Sequence, residues 1–281
     1  MSEALTNTKP HDKLRVGAVS YLNTKPLIYG FDRLAPQAEL VLDVPSRLAV
    51  DLAAGKLDVA LIPSIEFFRD PGYTIVSDAC IACRGPVLSV KLFSRGPIRA
   101  IRTLALDPGS RTSVALTLVL LKERHGIELP PDAVEPLAEG ASLADAAADA
   151  VLLIGDRAIH SPAGRFEVVW DLGDEWRRWT GLPFVFAMWT ARAGHDLAGL
   201  ETALAEARDD GLSHLEEIAQ REAAPLGLTV PQCLAYLRDN LHFTLGPSEQ
   251  QGLELFYRYA AGLGLAPAGV EFGFSHCQTS R

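Results

Sequence analysis

Residues 15–27, Arg-Val-Gly-Ala-Val-Ser-Tyr-Leu-Asn-Thr-Lys-Pro-Leu, constrain the fold more than any other part of the chain. Val16 to Val19 is a short apolar run rich in β-branched residues and reads as a buried strand. The chain then breaks into small and polar residues, and Pro26 stands where a helix can begin. A strand that ends in a polar loop ahead of a helix is how an open α/β sheet presents ligand groups at its carboxyl edge. Asn23 is the candidate there. Its amide both donates and accepts, so it can hold an oxygen of a bound substrate, although the same residue type also completes turns.

The strand-then-turn pattern recurs. Residues 39–44 read as a second strand, Pro45-Ser46 as a turn and cap, and 47–54 as a short helix ended by Gly55. Residues 57–62 form a third strand that runs into Pro63-Ser64-Ile65-Glu66. This succession implies a parallel sheet with right-handed crossovers. The β-prone run 85–94 reads as a strand passing to a second lobe. That lobe has a strand at 103–106, a polar turn through Ser110-Arg111-Thr112-Ser113 and an apolar helix over 114–125 stopped at Gly126. A weak Ala-rich helix follows at 143–148, then a buried strand at 151–154 ending in Gly155-Asp156, a strand at 166–170 and a helix at 174–180. Residues 182–189 return to the first lobe, and from 196 onward helices are expected at 197–208, 212–223, 231–241 and 248–263. The expected architecture is an α/β, two-lobed, periplasmic-binding-protein-like (type II) fold with C-terminal helices packed on the first lobe. Lobe one takes 14–93 plus 190–275, lobe two 94–189, and 1–13 is a flexible leader. Such a fold holds its ligand in the cleft between lobes.

Charge and composition narrow the ligand. A formal net charge of −9 argues against nucleic-acid binding, which relies on many phosphate-neutralising cations. No apolar stretch approaches the roughly 20 residues of a membrane helix, and the polar N-terminus is no secretory signal. A cytoplasmic protein with a small-molecule ligand is expected, with oligomeric state left open. Cys80 and Cys83 form a lone CxxC in a strand-like setting and read as buried reduced thiols. The histidines lack metal-ligand spacing, and no Walker loop, GxSxG elbow or dinucleotide loop occurs.

The chemistry must then come from modest residues. Ser110, Arg111, Thr112 and Ser113 sit at a helix start, where free N–H groups and the helix dipole favour a carboxylate and Arg111 can add a charged contact. Ordinary N-capping explains the same pattern. Ser64 and Asp156 are equally open to capping or cleft roles. Ser89 lies inside an apolar strand, where a buried hydroxyl needs a partner, backbone or ligand. Trp176 and Trp179 read as packing residues.

Ser20-Tyr21-Leu22-Asn23-Thr24-Lys25-Pro26-Leu27 resembles the opening signature of the chorismate dehydratases of the futalosine route to menaquinone. Further segments resemble the same family in the same order: 58–66, 85–90, Ser110-Arg111-Thr112-Ser113, Ile154-Gly155-Asp156 and 180–187. The resemblance implies a two-lobed fold and a hydro-lyase that converts chorismate to 3-enolpyruvylbenzoate, with no cofactor or metal. It implies catalytic roles for Asn23 and Ser89 through matched motifs. For Ser20, Ser64, Ser110, Arg111, Thr112, Ser113, Gly155 and Asp156 it implies substrate binding, largely from their expected place at the cleft. Two alternatives stand beside it. The later 1,4-dihydroxy-6-naphthoate synthase of the same pathway is usually marked by Ser-Pro-Cys-Pro-Asn-Asp where this chain reads 20–25. A non-catalytic cytoplasmic protein binding a small carboxylate is the other.

Overall fold

The computed structural model describes residues 13–138, 143, 146–160, 166–270 and 272. The strands are β1 (Leu14–Val19), β2 (Ala38–Asp43), β3 (Val59–Pro63), β4 (Tyr73–Cys83), β5 (Val90–Ser94), β6 (Leu104–Leu106), β7 (Val134–Pro136), β8 (Ala150–Ile154), β9 (Val168–Asp171), β10 (Phe184–Arg192) and β11 (His242–Thr244). The α-helices are α1 (Phe31–Leu34), α2 (Pro45–Ala53), α3 (Ser64–Phe67), α4 (Arg111–His125), α5 (Asp156–Ile159), α6 (Leu172–Thr180), α7 (Leu200–Ser213), α8 (Leu215–Glu222), α9 (Val230–Ala235) and α10 (Pro247–Gly262).

Two mixed sheets result. The first has the order β11-β4-β10-β3-β1-β2, the second β7-β6-β8-β5-β9. β1 is parallel to β2 and β3, whereas β10 is antiparallel to β3 and β4. In the second sheet β6 is parallel to β7 and β8, and β5 runs against β8 and β9. Each sheet is thus a parallel βαβ set into which one antiparallel strand is inserted, β10 in the first and β5 in the second, and β11 adds a further antiparallel strand at the edge of the first. Strands β3 and β8 are buried along their whole length, which fits the continuous apolar runs of the sequence. Trp176, fully buried, packs edge-on against Trp179, Phe184 and Phe256, and its indole N–H donates to the Pro183 carbonyl at 3.0 Å. The helix α7 packs on a 3-10 turn at Leu22–Ile28 and on β4, while α10 packs on β10 and α3. Among the described residues no helix is long and apolar enough to cross a membrane.

The structure redraws several expected elements. β5 lies wholly in the second sheet and β10 wholly in the first, so the chain passes between sheets at 84–89 and 181–183 rather than at 93 and 189. β4 runs on through both Cys80 and Cys83, which are buried, and burial pushes the Cys83 thiol up to about 12, opposite to the lowered value of a reactive redox thiol. The helix expected at 197–208 runs from Leu200 to Ser213, and the next begins at Leu215. The helix expected at 231–241 is α at Val230–Ala235 and a π turn at Tyr236–Asn240. β7 and β11 are edge strands of three residues that periodicity over so short a span does not mark. The 1–13 leader, apart from Lys13, lies outside the described residues, and the helix expected at 143–148 includes residues outside them.

β11 also places His242 beside a charge network. Glu249, fully buried, accepts from Arg84 Nε at 2.8 Å, and His242 Nε2 lies 3.6 Å from the same carboxylate oxygen. Burial and the Arg84 charge hold the imidazole below its ordinary 6.5, against the pull of Glu249. A histidine whose folded-state pKa is depressed leaves the unfolded chain binding more protons. Its contribution is complete above the ordinary value and is lost as pH falls below it. His242→Gln is therefore expected to flatten the fall of Tm on the acid side of about pH 6.5. Parallel Tm–pH curves for parent and variant would contradict this.

Candidate active site

The carboxyl ends of β1 and β8, the start of β5 and the head of α4 converge on a half-open pocket between the sheets, the kind of place where such folds hold small ligands. Its walls are largely apolar, with Val19, Pro63, Ile81, Val87, Ile154 and Phe186. The groups that can orient a ligand are Tyr21, Asn23, Ser89, Ser110, Ser113 and the backbone at Gly155. Among the described residues no Lys, Arg, His, Asp or Glu lines the cavity.

Asn23 sits in the Leu22–Ile28 turn directly after β1. Its Oδ1 accepts from the Thr24 hydroxyl at 3.3 Å, and its amide N–H groups are free of protein acceptors among the described residues. The turn starts before Pro26 because Leu22 N–H donates to both Asp156 oxygens, at 3.1 and 3.3 Å. Ser89 is almost fully buried, and its hydroxyl has a long 3.4 Å contact to the Val87 carbonyl. At α4, Ser110 is the N-cap: its Oγ accepts from Ser113 N–H at 3.3 Å and lies 3.0 Å from Ser113 Oγ. The N–H groups of Arg111 and Thr112 have no protein acceptor among the described residues, as expected of a helix's first turn. A fifteen-residue helix thus offers a positive dipole end and two hydroxyls to the cavity. Gly155 has φ +69°, and a Cβ there would press on the Tyr21 ring at 3.0–3.2 Å. Burial, followed by the nearby Asp107 carboxylate, pushes the Tyr21 phenol up to about 12, so at neutral pH it is a donor and not a base.

The other expected site residues lie outside the cavity lining. Ser64 and Thr112 are fully buried. Ser64 Oγ donates to the Val185 carbonyl at 2.9 Å, and Thr112 Oγ1 accepts from Ile65 N–H at 3.2 Å. Arg111 turns to Glu66 at 2.8 Å. Asp156 is spent on Leu22 N–H; burial raises its carboxyl while that N–H lowers it. Ser20 is exposed, with its N–H on the Asp43 carbonyl at 3.1 Å. Thr112, Arg111 and Asp156 thus tie the two halves together beside the cavity, while the Ser20 and Ser64 bonds stay within the first. Sequence reasoning passed over Tyr21, which stands inside the opening signature. It also missed Asp171 and Tyr236, which no local pattern connects to Ser89.

Two mixed sheets in this strand order, with polar strand-end residues meeting in a pocket between them, define a periplasmic-binding-protein-like fold. Solved structures agree: an Archaeoglobus fulgidus protein has TM-score 0.72 at 18% identity, covering 92% of this chain and 100% of that one. The periplasmic aliphatic sulphonate binding protein of Escherichia coli has TM-score 0.58 at 17% identity, covering 93% and 96%. The chain belongs to the menaquinone biosynthesis family, whose profile matches residues 14–262. It is similar to the chorismate dehydratase of Thermus thermophilus, 34% identical over 274 residues, 90% of this chain and 96% of the relative. It is also similar to that of Campylobacter jejuni, 27% identical over 256 residues, 89% and 99% of the two chains.

Proposed function

We propose that the protein is a chorismate dehydratase, a hydro-lyase that removes water from chorismate to give 3-enolpyruvylbenzoate in menaquinone biosynthesis. The ring proton at C3 is acidified by conjugation with the ring carboxylate. Its C–H bond breaks, the pair forms the C3–C4 double bond, and the C4 hydroxyl leaves, so the ring becomes aromatic. Proton and hydroxide together make the released water.

The observation that carries this reading is the neutrality of the cavity. A dicarboxylate in it meets hydroxyls, an amide and helix N–H groups, which stabilise developing charge strongly in a water-poor site. In this reading Ser89, Ser110 and Ser113 hold carboxylates, and Asn23 orients the ring or hydrogen-bonds the departing hydroxyl. With no ionisable base among the described residues lining the cavity and Tyr21 protonated, the base is the substrate's own enolpyruvyl carboxylate. The enzyme's part is to hold that carboxylate and the C3 proton in reacting geometry. Ser64, Thr112, Arg111, Asp156 and Ser20 hold the frame.

Incubation of the purified protein with chorismate tests the function, with 3-enolpyruvylbenzoate expected as the product by mass detection. Tight binding of chorismate left intact would make it a sensor instead. The mechanism has its own test: kcat should be flat with pH through the neutral range, because no lining group titrates there. A bell-shaped profile centred near neutrality would require a base from the protein.

A further inference from the structure

Residues 87–89 do not enter β5 in extended form. Ser89 N–H closes back on the Val87 carbonyl at 2.7 Å, and Leu88 between them has φ +60°. This is a three-residue γ-turn of the positive-φ kind, which is rare and strained for a residue with a side chain. Leucine gains nothing from that conformation, so something else must hold it. That something is Asp171, the last residue of β9. Its Oδ2 accepts from Leu88 N–H at 2.7 Å and its Oδ1 from Val87 N–H at 2.9 Å. The Oδ1 atom also caps α6 through Gly173 N–H at 3.1 Å and Asp174 N–H at 3.2 Å. Behind the turn stands Tyr236, fully buried on the π turn. Its hydroxyl has no partner in hydrogen-bonding geometry, and Ser89 is the polar side chain that acts on it. Short π segments recur at functional sites. Ser89 Oγ, between the long 3.4 Å contact to the Val87 carbonyl and the Tyr236 hydroxyl, lines the cavity.

We propose that Asp171 is a positioning residue for the reaction: its carboxylate clamps the strained turn at Val87–Ser89 and so aims the Ser89 hydroxyl at the substrate. This rests on the reading of the cavity given above. Asp171 itself touches no substrate. Strain at a site of this kind persists only where the surroundings impose it, and a hydroxyl displaced by about 1 Å can cost on the order of a hundredfold in rate.

Asp171→Asn is a selective probe. The retained Oδ1 keeps the bonds to Val87 and to the head of α6, and asparagine caps helices as well as aspartate does. The new amide nitrogen faces Leu88 N–H, donor against donor, so only the clamp's bond to the strained residue is lost. Turnover of chorismate per folded molecule is expected to fall about a hundredfold with KM changed far less. Adding Leu88→Gly, which accepts positive φ without strain, is expected to recover at least about tenfold of that loss. A general structural defect would not be repaired by glycine at 88. If Asp171→Asn does not fold, Asp171→Glu, which keeps the charge and shifts it by one methylene, is expected to show the same loss of kcat. The proposal is overturned if the folded variant turns over within about threefold of the parent, or if Leu88→Gly restores Tm without restoring kcat. Failure of the underlying site reading has a separate signature: Ser89→Ala would then retain parental turnover, whatever Asp171 does.

Discussion

Asn23→Ala is expected to lower turnover of chorismate by about 10²–10³-fold, the loss typical of removing one preorganised donor from the reacting centre. The expectation follows from where the amide sits. It lies at the carboxyl end of β1, on the cavity, with its carbonyl oxygen held by Thr24 and its N–H groups unclaimed among the described residues. Stability should change little, because the side chain is only partly buried and the turn that carries it is fixed elsewhere, by Asp156 on Leu22 N–H. Loss of rate with an unchanged Tm and a modest change in KM would mark an interaction made chiefly in the transition state. Normal turnover by the alanine variant would remove Asn23 from the mechanism.

Gly211→Ala should do the opposite and act through the fold. In a helix, glycine to alanine normally stabilises by about 1 kcal/mol. At this position in α7, however, an added Cβ would lie 2.0 Å from the Pro26 carbonyl oxygen, a contact no rotamer relieves because both partners are backbone. Helix and turn must move apart, and overpacking of this kind costs about 3 kcal/mol, a fall in Tm on the order of 5–10 °C for a chain of this size. Pro26 belongs to the same turn as Asn23, so activity is expected to suffer as well. Gly262→Ala at the end of α10, where an added Cβ meets nothing within 4 Å, is the matched control and should leave Tm unchanged or slightly higher. Equal Tm values for the Gly211 variant and parent would mean that α7 does not press on the site turn.

Much of the site is legible in the sequence because its residues occupy stereotyped places. Asn23 follows a strand, Ser110 and Ser113 open an apolar helix, and Gly155 ends a buried strand; open α/β sheets gather such positions at one edge. What those side chains then touch is not legible. Ser110 and Arg111 share one helix head, yet Ser110 faces the cavity and Arg111 turns to Glu66. Ser64 and Thr112 stand at equally promising turns, but Ser64 spends its hydroxyl on the Val185 carbonyl within its own half and Thr112 accepts from Ile65 N–H across to the other half. Asp171 reads along the chain as a helix cap, and its second role depends on Leu88, 83 residues away. The fold shows the same division. The apolar runs mark most of the strands, but the membership of β5 and β10 depends on pairings that periodicity does not encode.

The most direct measurement is turnover of chorismate carrying deuterium at C3, with the ring product read by mass. The expected product is 3-enolpyruvylbenzoate free of deuterium, formed with release of the C4 oxygen as water. Recovery of unreacted chorismate, or an isomerised product that retains the label, would contradict elimination across C3 and C4 and with it the proposed function.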